Sequence, residues 1–366
     1  MLMVPLLAIC LDGISWEYIR AASTPNLEDV ARMGTAVECD GVVPTVTNVN
    51  AASILTGEFP NVHGISSNWY YDAHLGNEVY MDSWKYLTCR TLLQRARVRG
   101  ARTLLLTVKD KLRRLLAQDT DASYSVEVPE PSLVEFLGEP PSIYTSEASL
   151  WLLRAARMEI ARGAYDIIYA QTTDYIPHKH SPKSEEAKMY IEGLDEEIGQ
   201  LLQERVSLSI TADHGMSEKR VNVDLLRLLA DAGLEARFIP AIRDEHVIHH
   251  SNLGGAAYLY LPREVERAIE VLKDAEGVEL ILSKEKAASR FRLPSTRIGD
   301  LLVLADQEHT FGVDEKSVYT DVTLRSHGSL HERKVPLLLN EKKSLGEEIK
   351  NKDLLRLLME DRRIEY

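Results

Sequence analysis

The chain is 366 residues long, which allows one large domain with a smaller insertion and a substantial buried core. Hydrophobic residues make up 45% and charged residues 27%, as in an ordinary globular protein. The formal net charge of -13 argues against a protein that holds nucleic acid. It does not exclude a small anionic substrate, because bound metal ions can reverse the field locally.

Two features of the sequence bear on its location. The three cysteines, Cys10, Cys39 and Cys89, are scattered without a CxxC pair, which favours reduced thiols. The apolar start, from Met1 to Leu11, lacks the basic residues and the cleavage site of a signal peptide. No apolar run approaches the roughly 20 residues that span a bilayer. The sequence therefore predicts a cytoplasmic protein without a membrane segment.

Short apolar runs alternate with helical patterns, which is typical of an α/β protein with a mostly parallel sheet. The predicted strands are residues 4–11, 41–46, 103–108, 166–171 and 206–211. The predicted helices are residues 25–34, 86–99, 147–162 and 184–205. The first of these helices has Pro25 at its first position and stops at Gly34, and the third is closed by Gly163.

The pattern changes after residue 215, where short helical stretches surround a predicted strand at 256–261. We expect residues 216–297 to form a smaller inserted α+β cap. The catalytic core then comprises residues 1–215 and 298–366, and it resumes with strands near 298–304 and 318–324. A helix over 346–361 is predicted to end the chain.

Metal-binding residue types recur just after predicted strands: Asp12, Asp174 with His178, Asp213 with His214, and His327. In open α/β sheets, ligand sites form beyond the carboxyl ends of the strands, so distant segments should meet at one edge. Three Asp and three His suit zinc, with iron or manganese as substitutes. Six ligands are enough for two ions that keep open positions.

Each of these residues also has an ordinary structural interpretation. A single Asp after a strand is more often a turn former, and an isolated His is more often a hydrogen-bonded structural residue. Four strand ends that carry these residue types in order are harder to attribute to turns. The joint pattern therefore favours a metal centre.

Thr47 follows a predicted strand at the apparent start of a helix. From this segment alone an N-cap is the simpler interpretation. The same position would also suit a nucleophile, because a helix start carries positive potential and free N–H groups that stabilise an alkoxide and a phosphoryl group. A nearby dication would lower the pKa of the hydroxyl.

Taken together, these segments resemble the alkaline phosphatase superfamily, and specifically its nucleotide pyrophosphatase/phosphodiesterase branch. The motifs that carry the resemblance are an LDG at Asp12, a Thr three residues after Pro44, a TG at Thr56, an HGI at His63 followed by Asn68, a DxxxH at Asp174, a DHG at Asp213 and an HG at His327. They cover residues 4 to about 340 in order. One departure is Pro177 before His178, where many phosphodiesterases have Gly.

The resemblance implies a three-layer α/β/α core with an inserted cap and a dinuclear zinc site. One ion would be held by Asp12, Asp213, His214 and the Thr47 oxygen, and the other by Asp174, His178 and His327. Thr47 would be the nucleophile. Asn68 and the backbone N–H of Asn48 would donate hydrogen bonds to the phosphoryl group.

Within this branch the segments TVTNVN, HGISSNWYYD, TTDYIPHKH and LRSHG look most like those of the phosphonoacetate hydrolases. In those enzymes a lysine pair after a strand binds the substrate carboxylate, and Lys109 and Lys111 occupy the matching positions. The ordinary alternative is a solvated KDK surface sequence. Lysines two apart do not share a helix face, so both reach one anion only where the backbone is extended.

The resemblance then implies hydrolysis of the P–C bond of phosphonoacetate to acetate and phosphate through phosphothreonine at Thr47. In the cap, Arg243 and His249 are further candidates for binding the anion. A nucleotide pyrophosphatase/phosphodiesterase or phosphomonoesterase is the nearest alternative, with Trp69, Tyr70 and Tyr71 available to stack a base. A non-catalytic phosphonate- or phosphate-binding protein is the alternative from another class. The expected partner is a small anionic substrate, and a homodimer is left open.

Overall fold

The computed structural model describes residues 4–243, 248–249, 251–314, 317–346 and 348–360. The strands are β1 (Leu6–Cys10), β2 (Thr35–Asp40), β3 (Trp69–Asp72), β4 (Asn77–Tyr80), β5 (Thr103–Thr107), β6 (Ala122–Ser125), β7 (Ile167–Gln171), β8 (Ser207–Thr211), β9 (Ser217–Val223), β10 (Arg237–Pro240), β11 (Ala256–Tyr260), β12 (Val278–Ser283), β13 (Leu301–Ala305), β14 (His309–Phe311), β15 (Tyr319–Ser326) and β16 (Lys334–Leu339).

The helices are α1 (Trp16–Ala21), α2 (Pro25–Met33), α3 (Thr47–Thr56), α4 (Pro60–His63), α5 (Leu92–Val98), α6 (Asp110–Leu116), α7 (Pro131–Leu137), α8 (Glu147–Arg162), α9 (Tyr175–Lys179), α10 (Glu185–Gln203), α11 (Leu225–Asp231), α12 (Val265–Leu272), α13 (Lys284–Phe291) and α14 (Leu354–Glu360). None of these described helices is long and apolar enough to cross a bilayer.

A seven-stranded sheet in the order β2-β16-β8-β1-β7-β5-β6 carries the fold. The neighbours from β8 to β6 are parallel, and β16 runs antiparallel between β8 and β2. Strands β1, β5, β7 and β8 are buried along their whole length, which explains their continuous apolar runs. Helices α2, α8 and α10 pack together in one layer, and α3, α5, α6 and α14 form another. The predicted α/β fold with a mostly parallel sheet is confirmed.

The small sheet β10-β11-β13-β12 is joined to the large domain through one of its faces. Ala256 and Tyr258 belong to the main hydrophobic core, whereas Ala257 and Leu259 belong to a second core with helices α11 and α12. Side chains alternate between the two faces of a strand, so both faces of β11 are buried. The cap region therefore packs on the large domain through one face of its sheet.

The chain does not return to the large sheet at the predicted boundary of residue 298. Strand β13 pairs with β11 and β12 in the small sheet, and β15 pairs with β9 in a separate three-stranded sheet. The chain returns to the large sheet only at β16. An apolar run such as that of β13 has the same pattern in either sheet, so the sequence did not distinguish them.

The predicted strand at 41–46 is also absent from the sheet. In its place the side chain of Asn50 binds the backbone of Val42, accepting from its N–H at 2.7 Å and donating to its carbonyl at 2.9 Å. The predicted helix over 86–99 begins only at Leu92, because Thr91 and Gln94 form a reciprocal capping box.

Leu302 tests whether the cap and the large domain form one stable unit, because its side chain lies in the main core. We expect Leu302→Ala to lower the free energy of unfolding by about 2–5 kcal/mol, since a buried leucine leaves a cavity. Urea unfolding followed by circular dichroism and by tryptophan fluorescence measures this loss. The two signals should still change together. Met189→Ala, at a side chain 70% exposed, is the control and should change stability by less than about 0.5 kcal/mol.

Candidate metal centre

Four neighbouring parallel strands end in one row at the same edge of the large sheet. The paired residues that form this row on β5, β7, β1 and β8 are Thr107, Gln171, Cys10 and Thr211. Two or three positions beyond the row, the chain places Lys109, Asp174, Asp12 and Asp213. Three carboxylates and one ammonium group are thereby brought to one place by segments far apart in sequence.

Thr47 is the first residue of α3, and the extended residue Val46 precedes it as the N-cap. The Thr47 side chain therefore does not cap the helix, which removes the simpler interpretation of this residue. Its Oγ1 lies 3.1 Å from His214 Nε2. The first N–H groups of a helix have no partner within it, and Asn48 contributes one of them. Hydroxyl and helix start thus face the same cluster.

The predicted ligands lie together in overlapping groups whose ligand atoms are within 4.8 Å of one another. Asp12, Asp213 and His214 form one group. Around Asp174 Oδ2, the Nε2 atoms of His178 and His327 lie at 3.0 and 3.7 Å. The structure therefore brings all six predicted ligands and Thr47 to one buried site.

The three histidines are oriented by backbone carbonyl groups. His178 Nδ1 lies 2.8 Å from the carbonyl oxygen of Arg325, His214 Nδ1 lies 2.9 Å from that of Gly215, and His327 Nδ1 lies 2.6 Å from that of Thr45. A carbonyl only accepts a hydrogen bond, so each Nδ1 carries the proton. The Nε2 lone pairs then face the carboxylates, an arrangement typical of metal-binding histidines.

The carboxylates of the site fit a bound cation. Asp12 is fully buried, and neither of its carboxylate oxygens has a hydrogen-bond partner among the described residues. Asp213 Oδ2 also has no partner among them. A buried carboxylate without a partner is very costly unless a cation binds it. With carboxylate oxygens and imidazole nitrogens as donors, a divalent ion of the zinc type suits this set.

The pKa values of the acidic groups reflect the same crowding. Burial, with the charges of Asp174 and Asp213, raises the pKa of Asp12 well above its usual range. Burial also raises the pKa of Asp213 to about 6. Burial acts in the same direction on Asp174, but Lys109, His249 and His178 hold the pKa of that carboxyl well below its usual range.

Lys109 and His249 both contact Asp174. Lys109 Nζ lies 2.8 Å from Asp174 Oδ1 and 3.0 Å from His249 Nε2, and His249 Nε2 also contacts Asp174 Oδ1. Lys109 is the extended N-cap of α6, whereas Asp110 and Lys111 are already helical. Lys111 lies in the first turn of α6 and is 6% exposed. Both lysines are withdrawn from solvent, unlike a surface KDK sequence.

A ligand atom of His249 lies within 4.8 Å of ligand atoms of Asp174 and His178. His249 is therefore closer to the metal cluster than its predicted role in binding the anion implies. The rings of Tyr144 and Tyr175 lie beside it, at centroid distances of 6.4 and 5.7 Å. Its neighbours at 244–247 and 250 lie outside the described residues.

Arg243 does not join the cluster. Its guanidinium binds Glu78 and stacks on Trp69 at 4.3 Å, so its predicted role in binding the anion is not favoured. Its carbonyl oxygen instead accepts hydrogen bonds from Asn68 Nδ2 at 3.3 Å and from Trp69 Nε1 at 3.0 Å.

Asn48 and Asn68 lie on either side of Met81. Asn48 Nδ2 donates to the Met81 carbonyl at 3.4 Å, and the Met81 N–H donates to the Asn68 carbonyl at 2.8 Å. The side-chain oxygen of each asparagine is buried without a partner among the described residues. These oxygens only accept hydrogen bonds, so a phosphoryl oxygen would have to be bound by N–H groups of the side chains or the backbone.

Several supporting residues escaped the sequence analysis because their contacts are long-range. Thr172 Oγ1 accepts from the backbone N–H of Asp12 at 2.9 Å. Asn351 Nδ2 lies 2.9 Å from Asn50 Oδ1 and 3.2 Å from the Asp213 carbonyl oxygen, so it links α3 to the strand end after β8. No local pattern marks either residue.

A cavity of about 830 Å³ opens elsewhere, between the β3–β4 hairpin and the small sheet. Its lining includes Tyr71, Arg237, Tyr260 and Lys284, and none of the Asp and His residues of the cluster. The volume of a cavity therefore does not identify the candidate active site, which lies at the buried carboxylates described above.

A sequence profile described as type I phosphodiesterase / nucleotide pyrophosphatase matches residues 6–330. The chain belongs to this family. It is accordingly a hydrolase of the alkaline phosphatase superfamily, as its motifs predicted. The ectonucleotide pyrophosphatase/phosphodiesterase family member 7 of Mus musculus is 23% identical over 337 residues, covering 82% of this chain and 69% of the relative.

Solved structures of phosphonoacetate hydrolase from Sinorhizobium meliloti 1021 are similar to this phosphodiesterase-family protein over nearly its whole length. The complex with phosphonoformate has a TM-score of 0.90 at 32% identity, and the complex with phosphonoacetate has 0.91 at 31%. Each match covers 98% of this chain and 95% of the other. A murine ectonucleotide pyrophosphatase/phosphodiesterase 5 structure has a TM-score of 0.71 at 19% identity, covers 97% of this chain and 94% of that one, and shares the fold.

Because the carboxylates are crowded, we expect Asp12→Asn to change the free energy of unfolding in opposite directions with and without bound metal. Because the folded pKa of Asp213 is raised to about 6, the stability that its protonated form contributes is present below about pH 4 and lost as the pH rises through about 6. The raised pKa of Asp12 acts in the same direction. In chelator-treated protein at pH 7, Asp12→Asn should therefore raise the free energy of unfolding, by on the order of 1–3 kcal/mol. The gain should shrink towards pH 4.

With zinc present, the wild type should be stabilised by about 4 kcal/mol at a thousandfold excess over its dissociation constant, and Asp12→Asn should lose most of this gain. Urea unfolding with and without a chelator measures both effects. Asp29→Asn, at an exposed carboxylate, serves as the control. Equal stability of wild type and Asp12→Asn in both conditions would show that no metal binds here.

Proposed function

We propose that this protein is a dinuclear zinc hydrolase that cleaves the P–C bond of phosphonoacetate. The observation that carries the proposal is Lys109, whose ammonium group lies inside the buried Asp/His cluster, 2.8 Å from Asp174. A cation at that place suits a substrate with a second anionic group next to the phosphoryl group. The similar Sinorhizobium meliloti enzyme has been solved with phosphonoacetate and with phosphonoformate, which are both of this kind.

Asp12, Asp213 and His214 would hold one ion with Thr47, and Asp174, His178 and His327 would hold the other. When bound, these ions supply Lewis-acid stabilisation of the phosphoryl oxygens and favour the ionised form of the hydroxyl. Thr47, the first residue of α3, would be the nucleophile, and the Asn48 N–H and the Asn68 amide would donate hydrogen bonds to the phosphoryl group.

The reaction proceeds in two steps. The Thr47 oxygen forms a bond to phosphorus while the P–C bond breaks, and the electron pair leaves with the acetate fragment as its enediolate, which takes up a proton. Water then attacks the phosphothreonine and releases phosphate and free Thr47. Lys109 and Lys111 neutralise the charge that grows on the carboxylate oxygens, so they act on the transition state as well as on binding.

A nucleotide-cleaving activity is less well supported, because protein groups already cover the aromatic faces. The Trp69 ring is stacked on Tyr80 at 4.8 Å and carries Arg243 near its centroid. Tyr71 is covered by Arg237 at 4.3 Å and meets the edge of Tyr260. A base would have to displace these partners. A non-catalytic binding protein is disfavoured because all six ligands and the nucleophile are retained.

The zinc content and the cytoplasmic location stay predictions from the sequence, and a homodimer stays open. Metal analysis of the purified protein tests the first of them directly. Two zinc ions per chain are expected, with iron or manganese as substitutes.

The reaction itself is tested by phosphate release from phosphonoacetate. We expect steady release that a chelator abolishes and that added zinc restores. Thr47→Ala should lower kcat by on the order of 10³-fold or more, because the nucleophile is removed. Acid-quenched wild type should carry one added phosphoryl group by mass spectrometry. Faster turnover of a nitrophenyl nucleotide ester than of phosphonoacetate would instead favour the nucleotide-cleaving alternative.

The lysines are tested by comparing two substrates. Lys109→Met should lower kcat/KM for phosphonoacetate by on the order of 10²-fold, because a buried charge-assisted contact to the carboxylate is lost. The kcat/KM for an aryl phosphate ester, which has no carboxylate, should fall much less. Lys111→Met should show the same selectivity. Metal content is measured for each variant, since Lys109 also contacts Asp174. Equal losses on both substrates at full metal content would rule out the carboxylate role.

A further inference from the structure

A second concentration of charge lies in a cavity of about 490 Å³ that shares no lining residue with the metal cluster. It is bounded by residues 40–43 after β2, the end of α13 and the segment before α14. Among the described residues, its lining includes three acidic side chains and six basic ones, which are Arg290, Arg292, Arg333, Lys350, Lys352 and Arg356. In a chain of net charge -13, a local excess of three positive charges indicates an anion site.

Two of the three acids of this basic cavity are paired with its lysines and arginines. Asp353 accepts from Lys352 and from Arg356, each at 2.9 Å. Asp40 lies 3.7 Å from Arg333 and 3.8 Å from Lys350. These two carboxylates therefore do not balance the charges of Arg290 and Arg292.

Arg290 and Arg292 provide the unbalanced charge. Their guanidinium groups lie over the rings of Phe291 and Phe59, at 5.3 and 4.4 Å, and neither forms an ion pair with a described acid. Arg356 adds a third guanidinium group to the lining, and its Nε lies 3.6 Å from Glu360 Oε1.

An adjoining cavity of about 260 Å³ extends this surface. It shares Phe59, Arg292, Lys352 and Arg356 with the basic cavity and adds Arg95. Guanidinium groups present parallel N–H donors that match the oxygens of a tetrahedral anion. The two cavities together are large enough for an organic group attached to that anion.

We propose that the basic cavity is a second binding site, separate from the metal centre, for a phosphate-type oxyanion. The ligand is either free phosphate or a small phosphate monoester, since both present the same tetrahedral group. This proposal does not rest on the substrate of the metal centre. It places an anion against the segment that leads from β2 to α3, where Asn50 holds Val42.

The test is isothermal titration of the zinc-loaded protein with inorganic phosphate and, separately, with glycerol phosphate. In wild type we expect phosphate to bind at two classes of site. The double variant Arg290→Gln/Arg292→Gln should lose one class, with affinity at least tenfold weaker, because two charge-assisted contacts are removed. Phosphonoacetate turnover should be unchanged. If glycerol phosphate binds saturably at the same class of site, the ligand of the cavity is a phosphate monoester. If glycerol phosphate does not bind there, the ligand is free phosphate.

Arg356→Gln is the independent variant, and it should weaken the same class of site at least tenfold. Arg263→Gln is the matched control, because Arg263 is 76% exposed and does not line the cavity. Unfolding midpoints equal to that of the wild type verify that the variants fold. An isotherm of the double variant identical to that of wild type overturns the proposal. Equal weakening by Arg263→Gln overturns it as well, because the effect then comes from net charge alone.

Discussion

The site depends on negative charge gathered where water is excluded. Asp12, Asp174 and Asp213 are each at most 1% exposed, and they converge within one cluster. Carboxylates in such surroundings must be neutralised by protons or by cations. The remaining parts of the site follow from this need: histidines held with their Nε2 atoms inward, an ammonium group from Lys109, and a hydroxyl at a positive helix start. The cluster is thus built to bind cations, and its cost in stability is offset when they are present.

The convergence of the candidate metal ligands could be predicted from sequence because their positions are largely set by the sheet. Parallel strands end at one edge, so Asp12, Asp174 and Asp213 need only follow strands to become neighbours. His327 was predicted from a strand end as well, but it follows β15, which belongs to a different sheet, so the shared edge does not explain its position. The lysine pair was expected to need an extended turn, and in the structure Lys109 is extended while Lys111 lies in the first turn of α6.

Other features depend on contacts that no local pattern contains. The irregular course of residues 41–46 depends on the side chain of Asn50, eight positions beyond Val42. Arg243 and His249 are both polar residues of one cap segment, yet the first is bound by Glu78 and the second reaches Asp174. Strand β13 has an apolar run that fits the large sheet equally well. Residue type predicts chemistry, whereas partner choice across hundreds of residues depends on packing.

The common row of strand ends has a consequence for how the protein can evolve. The row holds Thr107, Gln171, Cys10 and Thr211 in register, and each reactive group follows at a fixed short offset. Insertion or deletion of one residue within β1, β5, β7 or β8 would turn a reactive side chain to the opposite face. Changes of length in the surface loops leave the row intact. Divergence among descendants should therefore accumulate as loop insertions and hairpin replacements, while these four strands keep their residue count.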